Sequence, residues 1–253
     1  MDRVSEYRFS LYNSLMDYKY TGIILGKRDV GETDRIYTIY TLESGKIRIL
    51  AKSVRKANAK LAGFLENFNL AEIFVAKSQG MGKITGSLVI SNFSEIRNNL
   101  EIVRNVFDSI ELLDKLIKDE NKDQKIFQLL QEYLETMNSI AKENSQDKNE
   151  IISLGFAFKL FEELGYKIEV GSCAYCQEKI REGNNFFDPE QGGIVCEKCF
   201  SGLKTKIRAN LNAIKILRVF FQNSLKSLVK LKTDKKDLDN LKIIEKEFLN
   251  WIA

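Results

Sequence analysis

Arg35-Ile36-Tyr37-Thr38-Ile39-Tyr40-Thr41-Leu42, the turn Glu43-Ser44-Gly45 and the run Lys46-Ile47-Arg48-Ile49-Leu50-Ala51 decide the first half of the fold. The first run is made of strand formers. The last alternates basic or polar residues with apolar ones, the pattern of a strand with one buried and one open face. Upstream, Tyr20-Thr21-Gly22-Ile23-Ile24-Leu25-Gly26 reads as another strand. Downstream, Asn69–Lys77 and Lys83–Ile90 read as two more, around Gly80-Met81-Gly82. Five short antiparallel strands in about 75 residues fit a small closed barrel, of which the OB-fold is the common five-stranded form. An SH3-like barrel is the structural rival.

After Asn92 the period becomes helical. Ile96, Leu100, Val103, Phe107, Ile110, Asp114 and Ile117 recur every three or four residues, Asp114 being the one polar interruption, with Ser94 as N-cap. A second helix is expected over about Asp123–Ala141 and a third from near Asn149 to Gly165, a residue that suits a helix C′ position. The third helix is apolar nearly all round and belongs at the centre of a helical domain. Two further helices are expected at roughly Ala209–Leu231 and Lys235–Ile252. In the first of these, Leu211, Ile214, Leu217, Phe221, Leu225 and Leu228 form the core stripe, with the basic residues off it.

Between the third and fourth helices stand the chain's only four cysteines: Cys173-Ala174-Tyr175-Cys176, nineteen residues, then Cys196-Glu197-Lys198-Cys199. Two Cys-x-x-Cys pairs at this spacing point to a four-thiolate zinc site, with iron as the alternative metal. Two disulfides would need an oxidising compartment, and a redox pair needs only one such motif. Four thiolates close the coordination shell, so one structural Zn2+ is expected. Gly171 and Gly192-Gly193 flank the pairs, and Phe186-Phe187-Asp188-Pro189 reads as a short strand and turn.

The chain has no histidine among its 253 residues. That removes Ser-His-Asp and Cys-His nucleophile systems, His-Glu-x-x-His proteases and His-x-Glu deaminases. No apolar run reaches the length of a membrane span, and Met1–Glu6 has no apolar core of a signal peptide. A reducing cytoplasm suits the thiolates. The net charge of +4 is unevenly spread. Ser44–Leu65 holds six Lys or Arg and no acid, and Lys198–Thr233 holds nine and no acid. Such runs are the footprint of an anionic partner, a solvated face being the plain alternative.

The order of barrel, helices, cysteine knuckle and helices resembles the RecO family of bacterial recombination mediators. The resemblance rests on Thr21-Gly22-Ile23-Ile24-Leu25, on Glu32-Thr33-Asp34-Arg35 as a Glu-x-Asp-Arg signature, and on Gly45-Lys46 and Ala51-Lys52-Ser53-Val54-Arg55. Leu160-Phe161-Glu162-Glu163-Leu164-Gly165-Tyr166 and the cysteines complete it. Ser53 stands where glycine is common in the family, and residues 1–17 are additional.

The resemblance implies a non-enzymatic, nucleoid-associated protein. It would bind single- and double-stranded DNA, anneal strands and, with a RecR-like partner, help load a recombinase on DNA coated by single-stranded-DNA-binding protein. The candidate DNA contacts are Arg28, Arg35, Lys46, Arg48, Lys52, Arg55, Lys56 and Lys60, with Arg35 alternatively paired to Glu32 or Asp34. Tyr37 and Tyr40 are candidates for stacking on bases, core packing being the alternative. Lys215 and Arg218 are candidates for holding the acidic tail of the single-stranded-DNA-binding protein. The expected organisation is a 1–17 extension, an OB-fold barrel at 18–93, helices at 94–170, a zinc module at 171–200 and helices at 201–253. The rival to the whole reading is a zinc-ribbon adaptor that binds only protein.

Overall fold

A computed structural model describes residues 17–76, 81–143, 145, 148–201 and 207–252. Residues 1–16, most of the expected extension, lie outside them, as do Lys204 and Lys206 of the second basic run. The described residues fall into two compact units. One takes those up to Phe93 together with Ile117–Phe127; the other takes Ser94–Leu116 and those from Gln128 on.

In the first unit, β1 (Asp17–Val30), β2 (Asp34–Thr41), β3 (Gly45–Ala51), β4 (Leu70–Ala76) and β5 (Lys83–Ser91) close a barrel in the order β1-β2-β3-β5-β4. A short helix α1 (Leu61–Phe64) connects β3 to β4. This is a five-stranded OB-fold barrel. β1 outruns the expected strand because both its halves find partners. Residues 17–23 pair antiparallel with β4 and residues 22–30 with β2, and a register shift between Ile24 and Gly26 bends the strand between them. β3 and β5 meet in parallel at Leu50↔Lys83 alone, so the barrel has a seam there.

Ile24, Tyr37, Ile39, Ile49, Ile73 and Val75 fill the interior, each aliphatic side chain contributing about 1.5–3 kcal/mol by its burial. Both faces of β2 are covered: Ile36, Tyr37, Ile39, Tyr40 and Thr41 are all buried. Stacking of DNA bases on Tyr37 or Tyr40 is therefore overturned, because Tyr37 points into the barrel and Tyr40 lies under the Phe127 ring, 6.3 Å between centroids.

In the second unit, α2 (Ser94–Arg97) and α3 (Leu100–Leu116) replace one long expected helix. Ser94 is inside α2, and capping falls on Asn99, whose side chain accepts the Ile102 N–H at 3.1 Å. α4 (Gln124–Lys142) and α5 (Asn149–Glu163) follow, and α5 is buried on every side, with Ile151, Leu154, Phe156, Phe158, Leu160 and Phe161 all in the core. Gly165, at φ +92°, ends it: its N–H reaches Glu162 O at 2.9 Å and the Tyr166 N–H reaches Phe161 O at 2.9 Å. That pair of bonds is a Schellman stop, which needs a left-handed residue.

Next comes a small sheet of β6 (Phe186–Asp188), β7 (Gly193–Val195) and β8 (Ile207–Arg208), with α6 (Glu197–Phe200) between the last two. The expected Ala209–Leu231 helix is two helices, α7 (Leu211–Gln222) and α8 (Leu225–Leu228), broken at Asn223-Ser224. Phe220, not Phe221, holds the core position. α9 (Lys235–Ile252) closes the unit.

Candidate nucleic-acid interface and metal centre

The eight basic candidates of the barrel fall into three groups by what their charges meet. On the β1–β2 hairpin, Asp29 and Arg35 are directly opposed, and Arg35 Nε donates to Asp29 Oδ1 at 2.7 Å. Arg55 reaches the other oxygen, Nε to Oδ2 at 3.3 Å, and donates from Nη1 to Gly31 O. Arg35 thus pairs with Asp29 rather than with Glu32 or Asp34, and its bond holds the Asp29 carboxyl below the usual range.

Asp34 has a different role. It accepts the Ser53 N–H at 2.7 Å, the main cause of its lowered pKa, and the Thr33 hydroxyl at 3.1 Å. Ser53 sits at φ +56°, a left-handed bend more natural to glycine. The Glu-x-Asp-Arg signature is thereby split: Asp34 anchors the bend after β3, Arg35 staples the hairpin and Glu32 is exposed.

The second group is Lys46 and Arg48. They share the outer face of β3, as alternation requires, and both meet Asp119. Lys46 Nζ lies 3.4 Å from Asp119 Oδ1 with its side chain only 6% exposed, and Arg48 Nη1 donates to Asp119 Oδ2. The Glu120 N–H donates to Lys46 O at 2.9 Å, extending the β3 edge by one bridge. The Tyr40 hydroxyl donates to Asp123 O at 3.3 Å. Gly45, at φ +69°, passes so close to the Asn121 main chain that a Cβ there would collide with it. Ile117–Phe127 thus covers the outer face of β2 and β3. Nothing local in the sequence announces this, since Arg48 and Asp119 are 71 residues apart.

The third group is Arg28, Lys52, Lys56 and Lys60. All are exposed, and no ion pair is described for any of them. Tyr18 and Tyr20, which sequence pattern alone does not mark, lie on the interior-facing side of β1 with nearly parallel rings, centroids 6.1 Å apart.

The cysteines converge as their spacing requires. Glu169 Oε1 accepts the Gly171 and Ser172 N–H groups at 2.7 and 2.9 Å, shaping the turn into the first pair. The Gln177 N–H closes the first knuckle onto Cys173 O at 2.9 Å, and the Cys199 N–H closes the second onto Cys196 O at 3.1 Å. All four Sγ atoms lie within 4.8 Å of one another, Cys176 and Cys196 at 3.8 Å. A tetrahedral metal with bonds of about 2.3 Å has sulfur–sulfur edges of about 3.8 Å, so the donor set fits such an ion with small closing movements.

The electrostatics agree. Burial pushes the Cys173 thiol up, but the N–H groups of Cys196, Cys176 and Tyr175 outweigh it and hold its pKa down to about 6. The neighbouring Cys176 thiol pushes Cys199 up to about 12. Four such groups ionise together only around a cation. The module is tied inward by Phe187, which meets Phe248 of α9 edge-on at 5.7 Å, and Phe186 stacks on Phe200.

Lys215 and Arg218 are not brought onto one solvent surface. Lys215 is exposed on α7, in a hollow lined by Lys232 but also by Asp234 and Asp237. Arg218 is half-buried and donates from Nε to Val170 O at 2.7 Å, on the segment that leads to the first knuckle.

The family model for the N-terminal part of recombination protein O matches residues 16–93, and the one for its C-terminal part matches residues 109–251. The chain belongs to the RecO family. A protein named DNA repair protein RecO from Dehalococcoides mccartyi is 35% identical over 227 residues, covering 90% of this chain and 87% of that relative. Proteins of the same name from Desulforamulus reducens and Bacillus pumilus are 28% and 29% identical, over 92% and 83% of this chain and 89% and 79% of theirs. The RecO assignment thus spans both the barrel and the helical unit with its cysteine cluster. Among the described residues, no helix is long and apolar enough to cross a membrane.

Proposed function

We propose that this RecO-family chain acts in DNA repair as a non-enzymatic mediator: it binds single- and double-stranded DNA, anneals complementary strands and, with a RecR-like partner, helps load a recombinase. It works in the cytoplasm, at the nucleoid. The observation that carries the reading is the set Lys52, Lys56 and Lys60, exposed, described in no ion pair, and on a stretch without a carboxylate. Annealing needs two polyanions brought together with little base reading, and exposed lysines supply that, Lys52 and Lys56 sensing Asp34 only through space. A structural Zn2+ in the four-thiolate cluster holds the helical unit together. Lys215 and Lys232 are the groups that would meet the acidic tail of a single-stranded-DNA-binding protein, in a hollow whose charge Asp234 and Asp237 balance.

The test is a strand-annealing assay alongside binding isotherms at several salt concentrations, on protein assayed for zinc. The Lys52→Ala, Lys56→Ala, Lys60→Ala triple variant should anneal poorly. Its log–log salt slope on single strands should flatten by about 2, roughly 0.7 for each phosphate no longer neutralised. Full annealing with an unchanged slope would refute the assignment.

A further inference from the structure

In OB-folds the outer face of the second and third strands is the usual ligand face. Here Ile117–Phe127 occupies it, through Asp119 on Lys46 and Arg48 and Phe127 on Tyr40. The opening that remains is the seam where β3 parts from β5 on either side of Leu50↔Lys83. A cavity of about 570 Å³ opens there, with Ile47, Ile49, Val75 and Met81 as its apolar lining, Tyr18 and Tyr20 on β1, and Asp119 and Glu120 beside Lys46 and Arg48.

The two tyrosines are two residues apart on one strand and therefore share a face. Their rings are inclined by only 15°, and Tyr18 is 38% exposed while Tyr20 packs partly against the barrel core. A pair of nearly parallel rings beside apolar side chains is a stacking surface. Arg48, at the rim, is 44% exposed. Lys52, exposed, follows Ile49 by three residues.

We propose that the Tyr18–Tyr20 pair at the barrel seam is a stacking platform for unpaired bases, and that it sets a preference for single-stranded over duplex DNA. The proposal rests on the DNA-binding reading above and adds its specificity element. Stacking tolerates any base because every base has a π-face. Paired bases keep their faces inside the duplex and cannot reach the platform, whereas the lysines meet phosphates of either form.

The test uses the full chain and fluorescence anisotropy with a labelled oligothymidylate and a labelled duplex. Tyr18→Ala should lose about tenfold in single-strand affinity, with duplex affinity and both salt slopes unchanged, and Tyr18→Phe should retain the wild-type preference. In a Trp251→Phe background, which removes the chain's single tryptophan, the emission of a Tyr18→Trp variant should be quenched by oligothymidylate and not by duplex. Equal affinities for wild type and Tyr18→Ala, equal losses on both DNA forms, or an emission from the Tyr18→Trp variant that single strands leave unchanged would each overturn the platform and leave the DNA-binding reading standing. Wild-type protein that binds neither DNA form would overturn both.

Discussion

Replacing Asp119 by asparagine separates what the Ile117–Phe127 cover does for the barrel from what it does to its charge. The amide keeps the shape of the carboxylate and removes its charge, and Lys46 and Arg48 each lose an ion pair. Lys46 is the more buried of the two, its side chain 6% exposed against 44% for Arg48. Charge-assisted hydrogen bonds are worth about 1.5–3 kcal/mol each. Asp119 is itself half-exposed, which screens the pair, so a loss of about 1–2 kcal/mol is expected. For a chain of this size that is a fall in Tm of roughly 2–8 °C.

The pH dependence has a definite sign. Burial pushes the Asp119 carboxyl up, but the Arg48 and Lys46 bonds outweigh it and hold its pKa below the ordinary 3.8. A depressed carboxyl stabilises the fold fully above its unfolded value and loses that contribution as pH falls through the folded one. The Tm difference between wild type and Asp119→Asn should therefore be constant at neutral pH and shrink from about pH 4 downward. Arg48, once released, should add one phosphate contact and steepen the single-strand salt slope by about 0.7. Identical melting at pH 7 would refute the view that Asp119 anchors the cover, whatever the DNA result.

Three other outcomes follow from single sites. Ser53→Gly should raise stability by about 1 kcal/mol in urea melts, since glycine accepts φ +56° without the Cβ penalty; a destabilised variant would mean that the bend needs the serine. Cys176→Ser should lower metal content in elemental analysis and loosen the helical unit, read as a lower Tm and greater tryptic sensitivity between α5 and α7; metal-free protein with unchanged melting would count against a structural ion. Burial raises the pKa of Glu245 on α9, only partly offset by Lys242, so its charge costs stability above its unfolded pKa. Glu245→Gln should melt higher than wild type at pH 7 and equally at pH 4, and a variant that melts lower at pH 7 would refute this.

The barrel is legible because the Lys46–Ala51 alternation reports a strand with unlike faces, and the cysteine knuckles because metal geometry dictates local spacing. Both are properties of neighbouring residues. What stays hidden depends on partners remote in sequence. Sequence leaves base stacking and core packing both open for Tyr37 and Tyr40, and both are buried, since a strand covered on both faces no longer follows a period of two. The break at Asn223-Ser224 is masked because Leu225 and Leu228 keep the stripe in step across it, and both are buried in α8. Arg218 looks like one of two exposed cations three residues apart, and its bond to Val170 O depends on a loop 48 residues away.

The same distinction sorts the basic stretch. Six cations between Ser44 and Leu65 look equivalent in sequence, but the fold uses them differently. Lys46, Arg48 and Arg55 are engaged by Asp119 and Asp29, carboxylates that lie outside the stretch. Lys52, Lys56 and Lys60 lie beyond the end of β3 and are exposed; Lys52 and Lys56 feel Asp34 only through space, with no ion pair among the described residues. Alanine at Lys46 should therefore act through stability and alanine at Lys52 through DNA affinity. The Tm and salt slope of these two single variants, measured side by side, separate a barrel staple from a phosphate contact: a Lys46→Ala variant with wild-type melting and a flattened slope would exchange the roles.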